Sequence, residues 1–92
     1  MPKIISDEYL AFVRAKPCLV CGKRPVDADH IIARGSYDHK RIDYYALPFC
    51  RVHHAERHAV GNEKFESRYR IELWKEIAQL IVEHLIMVRS VK

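Results

Sequence analysis

All three cysteines and four of the six histidines of this 92-residue chain fall into four short pieces in a fixed order. Cys18-Leu19-Val20-Cys21 comes first, then Asp29-His30, then Cys50-Arg51-Val52-His53, then His54 with His58 one helical turn beyond. Thiolates and imidazoles bind zinc tetrahedrally, and two-residue spacers let both donors of a clamp reach one ion without strain. Gly22 follows the first clamp and permits the tight turn of a knuckle. The second clamp begins where a strand hands over to a helix, so His53 turns back from the first helical turn. The pattern predicts a closed structural zinc site built from Cys18, Cys21, Cys50 and His53. The rival reading, free cysteines buried in a small core, leaves the paired spacing unexplained.

A chain this short buries only a modest core, and many of its size depend on a staple. Metal binding would supply roughly 10 kcal/mol or more toward folding. Three cysteines cannot all pair, and no apolar signal stretch precedes them, so metal-bound thiolates in a reducing cytoplasm are expected rather than disulfides. No apolar run approaches the length needed to span a bilayer. A net charge of +4 and a pI near 9.1 suit an anionic partner, although ordinary small proteins reach these values too.

One domain over 1–92 is expected. Ser6-Asp7-Glu8 reads as an N-cap with an acidic first turn, and Tyr9, Phe12 and Val13 recur at helical spacing until Pro17. Between Cys18 and Phe49 the pattern is irregular. It predicts short strands near 28–32 and 46–49, joined by a long basic loop with Arg34, His39, Lys40 and Arg41. Helical patterning returns over 51–59, ends at Gly61-Asn62, and resumes in a short helix near 63–68. A final helix is expected over about 71–88. Its apolar residues cover more than half its circumference, leaving Glu72, Lys75, Glu76, Gln79 and Glu83 as the polar stripe. A surface helix needs a narrower apolar face. This one should therefore be covered on two sides, by the N-terminal helix and by a second subunit, or else be deeply buried against the former.

His53 and His54 are helical neighbours and diverge by about 100°, whereas His54 and His58 share a face. The pair His54/His58 is thus free to serve a different ion from His53. Asp29-His30 supplies a carboxylate and an imidazole that a hairpin would bring over that helix face. Neighbours in a regular strand project to opposite sides, so using both calls for an irregular strand end, which Gly35 and the loop allow. Taken alone, a His-x-x-x-His pair is often solvent-exposed and an Asp-His dipeptide carries no signal; the order of all the pieces carries the reading. His39 reads as a solvated or phosphate-facing residue and His84 as a packing or interface residue.

These strings resemble the HNH, or ββα-metal, endonucleases of the zinc-knuckle branch, and more closely the phage recombination-enhancement (Ref-like) group. The matching strings are "PCLVCG", "ADHI", "ALPFCRVHHAERHAVG" and a following aromatic helix with "ELW", over roughly 17–75. The resemblance implies an α+β fold: a small ββα-metal core over about 17–62, flanked by an N-terminal helix and a long C-terminal one. It makes His30 the general base, Asp29, His54 and His58 ligands of a catalytic divalent cation, and Cys18, Cys21, Cys50 and His53 the zinc ligands. The asparagine of the HNH name has no counterpart, since Asn62 follows the last motif histidine. Asp43 is the residue expected to do a related, orienting job.

The implied activity is metal-dependent hydrolysis of DNA phosphodiester bonds, in phage or bacterial recombination or DNA processing, in the cytoplasm of a bacterial host. Imidazole has a near-neutral pKa suited to taking a proton from water, and a divalent cation polarises the phosphate. Mg²⁺ or Mn²⁺ is expected, and the same donors accept Co²⁺, Ni²⁺ or Zn²⁺. Lys23, Arg24, Arg34, Lys40, Arg41, Arg51 and Arg57 are cations for holding backbone phosphates without reading bases. No separate recognition element is evident, so little sequence specificity is expected. Two other readings compete: a non-catalytic zinc module that binds DNA or a recombination protein, and a structural zinc domain that oligomerises through its last helix.

Overall fold

A computed structural model describes residues 3–32 and 41–90. The described residues form a mixed α+β fold of four helices and a two-stranded antiparallel sheet: α1 (Asp7–Arg14), β1 (Asp27–His30), a 3-10 turn (Asp43–Tyr45), β2 (Ala46–Phe49), α2 (Arg51–Val60), α3 (Asn62–Tyr69) and α4 (Leu73–Ser90). Arg34, Gly35, His39 and Lys40, all named in the sequence reading, lie outside the described residues.

α1 starts as its sequence dictates. Ser6 is extended, its Oγ accepts from the Tyr9 N–H at 3.1 Å, and Asp7 and Glu8 complement the positive end of the helix dipole. The helix buries Tyr9, Leu10 and Val13. Just upstream, Ile4 bridges Ile42 in parallel: the Ile4 N–H donates to the Arg41 carbonyl and the Asp43 N–H to the Ile4 carbonyl, both at 2.9 Å. The N-terminal segment thereby clamps the 3-10 turn that carries Asp43.

β1 and β2 pair with Asp27 opposite Phe49, Ala28 opposite Pro48, Asp29 opposite Leu47 and His30 opposite Ala46. β2 is wholly buried, whereas in β1 only Asp29 is. The helices α2 and α3 meet at Gly61, whose positive φ of 86° both ends one helix and opens the next. α3 is anchored by Phe65, edge-on to Phe49 with ring centroids 5.3 Å apart.

Within the chain, α4 is covered along one stripe. Leu73, Ile77, Leu80 and His84 form one buried stripe against α1, the 3-10 turn and β2. His84 is indeed a packing residue, ring to ring with Tyr9 and Phe12 at 5.0 and 4.9 Å. Ile81 packs partly against the core, whereas Val82, Leu85, Ile86 and Met87 are exposed. The short α1 reaches one side of the longer helix only. Among the described residues no helix is long and apolar enough to cross a membrane.

Candidate metal centres

The two clamps close on each other. Cys18 and Cys21 sit on a turn tied by the Cys18 N–H to the Lys23 carbonyl (3.0 Å) and the Gly22 N–H to the Cys18 carbonyl (2.9 Å), with Gly22 at a φ of 74°. Cys50 precedes α2 and His53 lies in its first turn. Cys50 Sγ is 3.2 Å and Cys18 Sγ 3.7 Å from His53 Nδ1, and Cys21 Sγ is 3.8 Å from Cys50 Sγ. This Cys₃His cluster could hold a metal ion. Burial pushes the Cys18 thiol up, but the backbone N–H groups of Cys50, Cys21 and Val20 outweigh it and leave it at about 6. The Lys23 N–H draws Cys21 down, yet burial and its shared position with Cys18 and Cys50 leave it above the ordinary thiol range. Tyr69 packs edge-on against His53, with ring centroids 5.4 Å apart, and its hydroxyl donates to Glu56, which also pairs with Arg68.

His54 diverges from His53 and joins a second group. Its Nε2 is 3.0 Å from His58 Nε2 and 3.4 Å from Asp29 Oδ1, and His58 Nε2 is 3.5 Å from the same oxygen. Asp29, His54 and His58 thus present three donor atoms as a small triangle that could hold a cation. Asp29 is buried, while the His58 side chain is 61% exposed. The triangle opens to solvent on the His58 side.

Asp29 and His30 engage different elements. Asp29 meets α2, whereas His30 Nε2 lies 2.8 Å from Asp43 Oδ1 on the 3-10 turn. β1 is paired in register through His30, so no irregular strand end is needed to use both side chains; the expectation of one is corrected. Burial pushes the Asp43 carboxyl up, but Arg41, the Ser6 N–H and His30 together hold it at about 2. An ionised carboxylate only accepts, so the His30 nitrogen that faces Asp43, Nε2, carries a hydrogen. Arg41 Nε donates to Asp43 Oδ1 at 2.6 Å and the Ser6 N–H to Oδ2 at 2.8 Å.

The cations nominated for phosphates divide. Lys23, Arg24, Arg41 and Arg51 are exposed. Arg24 donates to the Ala15 carbonyl at 3.1 Å, Arg41 is engaged by Asp43, and Arg51 by Asp27 at 3.1 Å. Arg34 and Lys40 lie outside the described residues. Arg57 is corrected: it is buried and forks onto Asp29, Nε to Oδ2 at 2.5 Å and Nη2 to Oδ1 at 2.7 Å. A guanidinium committed in this way to a buried carboxylate does not face solvent phosphates.

Two residues escaped the sequence reading. Asp27 Oδ2 lies 2.9 Å from His54 Nδ1, and this contact holds the Asp27 carboxyl below the usual range, with Arg51 assisting. Its position two before Asp29 places both on one strand face, a signal that was legible. Asn62 Oδ1 accepts from Arg57 Nη1 at 2.6 Å while its Nδ2 donates to the Ile32 carbonyl at 3.3 Å. Nothing in the local sequence announces that tie.

A family described as "Protein of unknown function (DUF968)" matches residues 1–84. A curated relative, the Escherichia coli (strain K12) "Uncharacterized protein YdfU", is 34% identical over 71 residues, covering 75% of this chain. The matched stretch is 20% of that relative, so the chain spans about a fifth of its length. No solved structure matches the chain significantly.

Proposed function

We propose that this chain, which belongs to the DUF968 family, is a metal-dependent HNH-type endonuclease that hydrolyses DNA phosphodiester bonds with little sequence specificity. The observation that carries the reading is the juxtaposition on one short strand. Asp29 joins His54 and His58 in a three-donor triangle, and the next residue, His30, is held by a buried, ionised Asp43.

The Cys₃His cluster supports a structural zinc. Tetrahedral coordination with Zn–S near 2.3 Å and Zn–N near 2.0–2.1 Å gives S···S edges of about 3.8 Å and S···N edges of about 3.6 Å. The cluster's 3.8 Å sulfur pair and its 3.2 and 3.7 Å sulfur–nitrogen pairs bracket those values. All four donors are spent on one ion, which is the mark of a structural rather than a catalytic site.

The second triangle suits a harder or borderline divalent cation, with Mg²⁺ or Mn²⁺ the working ions. Ligand–ligand edges of 3.0, 3.4 and 3.5 Å fit one face of a coordination shell with bonds of about 2.1 Å. Three donors on one face leave positions for phosphate and water. A cation bound there would neutralise charge on the phosphate and on the departing oxygen.

The chain's own residues do the rest. Asp43 holds the Nε2–H of His30, fixing the ring and leaving the Nδ1 lone pair to take a proton from the attacking water. Asp43 in turn cannot swing, because Ser6 and Arg41 bind it and the Ile4–Ile42 bridge holds its backbone. It thereby takes over the orienting job for which the sequence offers no asparagine. Lys23, Arg24 and Arg51 supply exposed positive charge for the nucleic-acid backbone.

The test is nicking of supercoiled plasmid and of single-stranded DNA with Mg²⁺ or Mn²⁺, wild type beside His30→Ala. Loss of the general base should slow cleavage roughly 10²–10⁴-fold while DNA binding persists. Equal cleavage by both proteins would remove His30 from the chemistry. Cleavage by neither, with DNA still bound, would leave a non-catalytic zinc module that binds DNA.

A further inference from the structure

We propose that Asp27 is the positioning residue of the second centre, its carboxylate fixing His54 in the tautomer that presents Nε2 to the cation. The inference rests on reading Asp29, His54 and His58 as cation ligands.

Asp27 and Asp29 are alternate residues of β1 and so share its α2-facing side, yet they do different things. Asp29 brings an oxygen within 3.5 Å of both imidazole Nε2 atoms. Asp27 instead meets the far nitrogen of one ring, with Oδ2 2.9 Å from His54 Nδ1. A carboxylate accepts and does not donate, so the ring hydrogen sits on Nδ1 and the Nε2 lone pair faces Asp29 Oδ1 and His58 Nε2. Metal-bound histidines recurrently give their second N–H to a carboxylate in this manner, which fixes the ring and raises its basicity.

The same oxygen is braced from outside. Arg51 Nε donates to Asp27 Oδ2 at 3.1 Å although the Arg51 side chain is 87% exposed. Asp27 is therefore held between the solvent-facing Arg51 and the half-buried His54, both on the first turns of α2. His58 has a different status: among the described residues its hydrogen-bonding and ion-pair contacts run through Nε2, and its side chain is 61% exposed. Of the two imidazoles, His54 is the one set in advance and His58 is the one that settles onto the ion.

The experiment uses the zinc-loaded full chain. Ring ¹⁵N spectra recorded without a second cation should show His54 protonated at Nδ1 in the wild type, and mixed tautomers in Asp27→Ala. Calorimetric titration with Mn²⁺ should show one ion bound beyond the zinc, with affinity falling roughly 10- to 100-fold in Asp27→Ala and recovering in part in Asp27→Glu. Zinc content should be the same in all three proteins. An Nε2–H tautomer in the wild type overturns the proposal without recourse to any variant. Wild-type Mn²⁺ binding with an unchanged affinity in Asp27→Ala overturns it too, and leaves the centre standing. No Mn²⁺ bound by wild type, with His58→Ala indistinguishable from it, overturns the centre and the role of Asp27 together.

Discussion

Arg57 grips both oxygens of Asp29 inside the molecule, at 2.5 and 2.7 Å, with the two side chains 7% and 1% exposed. Oδ2 accepts from Arg57 Nε, while Oδ1 accepts from Nη2 and also lies 3.4 and 3.5 Å from the Nε2 atoms of His54 and His58. Asp29 is thereby restricted to giving a cation one oxygen, which keeps the remaining positions open. The pair also explains how a carboxylate survives at the centre of so small a core. Its charge is balanced, and Asn62 holds the far side of the guanidinium at 2.6 Å.

Arg57→Ala should therefore act first on stability. Removing one partner of a buried pair strands the other charge, at a cost of about 3–5 kcal/mol. Arg57→Lys should fall between, because an ammonium keeps the charge and loses the fork. Urea unfolding of the zinc-loaded proteins measures both. A loss for Arg57→Ala below about 1 kcal/mol, as for an exposed pair, would contradict the burial argument.

The elements were largely legible in the sequence because each carries a local signal. Ser6 caps α1, Gly61 separates α2 from α3, and the clamp spacing brings Cys18, Cys21, Cys50 and His53 together. The divergence of His53 from His54 follows from helix geometry alone. What was not legible depends on residues distant in sequence. Arg57 reads as a surface cation because nothing nearby shows that α2 lays it over Asp29, 28 positions earlier. Asn62 is opaque for the same reason, its carbonyl partner Ile32 lying 30 positions back. α4 is a different case: its wide apolar arc is real, and one stripe of it is covered within the chain.

That uncovered arc leads to the next expectation. Val82, Leu85, Ile86 and Met87 lie together on the C-terminal half of α4 with relative exposures of 42 to 60%. A second copy is the simplest cover for such a face. Sedimentation over a wide concentration range should show reversible dimers, and Leu85→Glu with Ile86→Lys should abolish them. A wild-type chain that stays monomeric at every concentration would leave the face without a self-partner.

Asp43 sets an acid limit on the fold. Its carboxyl sits at about 2, below the ordinary aspartate value of 3.8. A group depressed in the folded state contributes fully above its unfolded pKa, and that contribution is lost as the pH falls through the folded value. Asp43→Asn should therefore be most destabilised relative to wild type above about pH 4, and the gap should close toward about pH 2. Urea unfolding of both proteins across that range reads the gap directly, because the acid loss of zinc is common to the two. A gap that stays constant with pH would mean that the Asp43 charge contributes nothing.

The sharpest expectation concerns two adjacent histidines with different employers. His53 Nδ1 lies among the cysteine sulfurs, 3.2 Å from Cys50, whereas His54, about 100° round the helix, has its Nε2 3.0 Å from His58. His53→Ala should behave like Cys18→Ser or Cys50→Ser, with zinc lost and the cooperative unfolding transition weakened, because folding draws on the metal. His54→Ala should keep its zinc and its unfolding transition and lose the second cation, since that ring contributes to the triangle alone. Elemental analysis for zinc and Mn²⁺ titration, run on the same preparations, separate the two outcomes. If His53→Ala and His54→Ala lost zinc together, the two centres would be one, and the division of labour along α2 would fail.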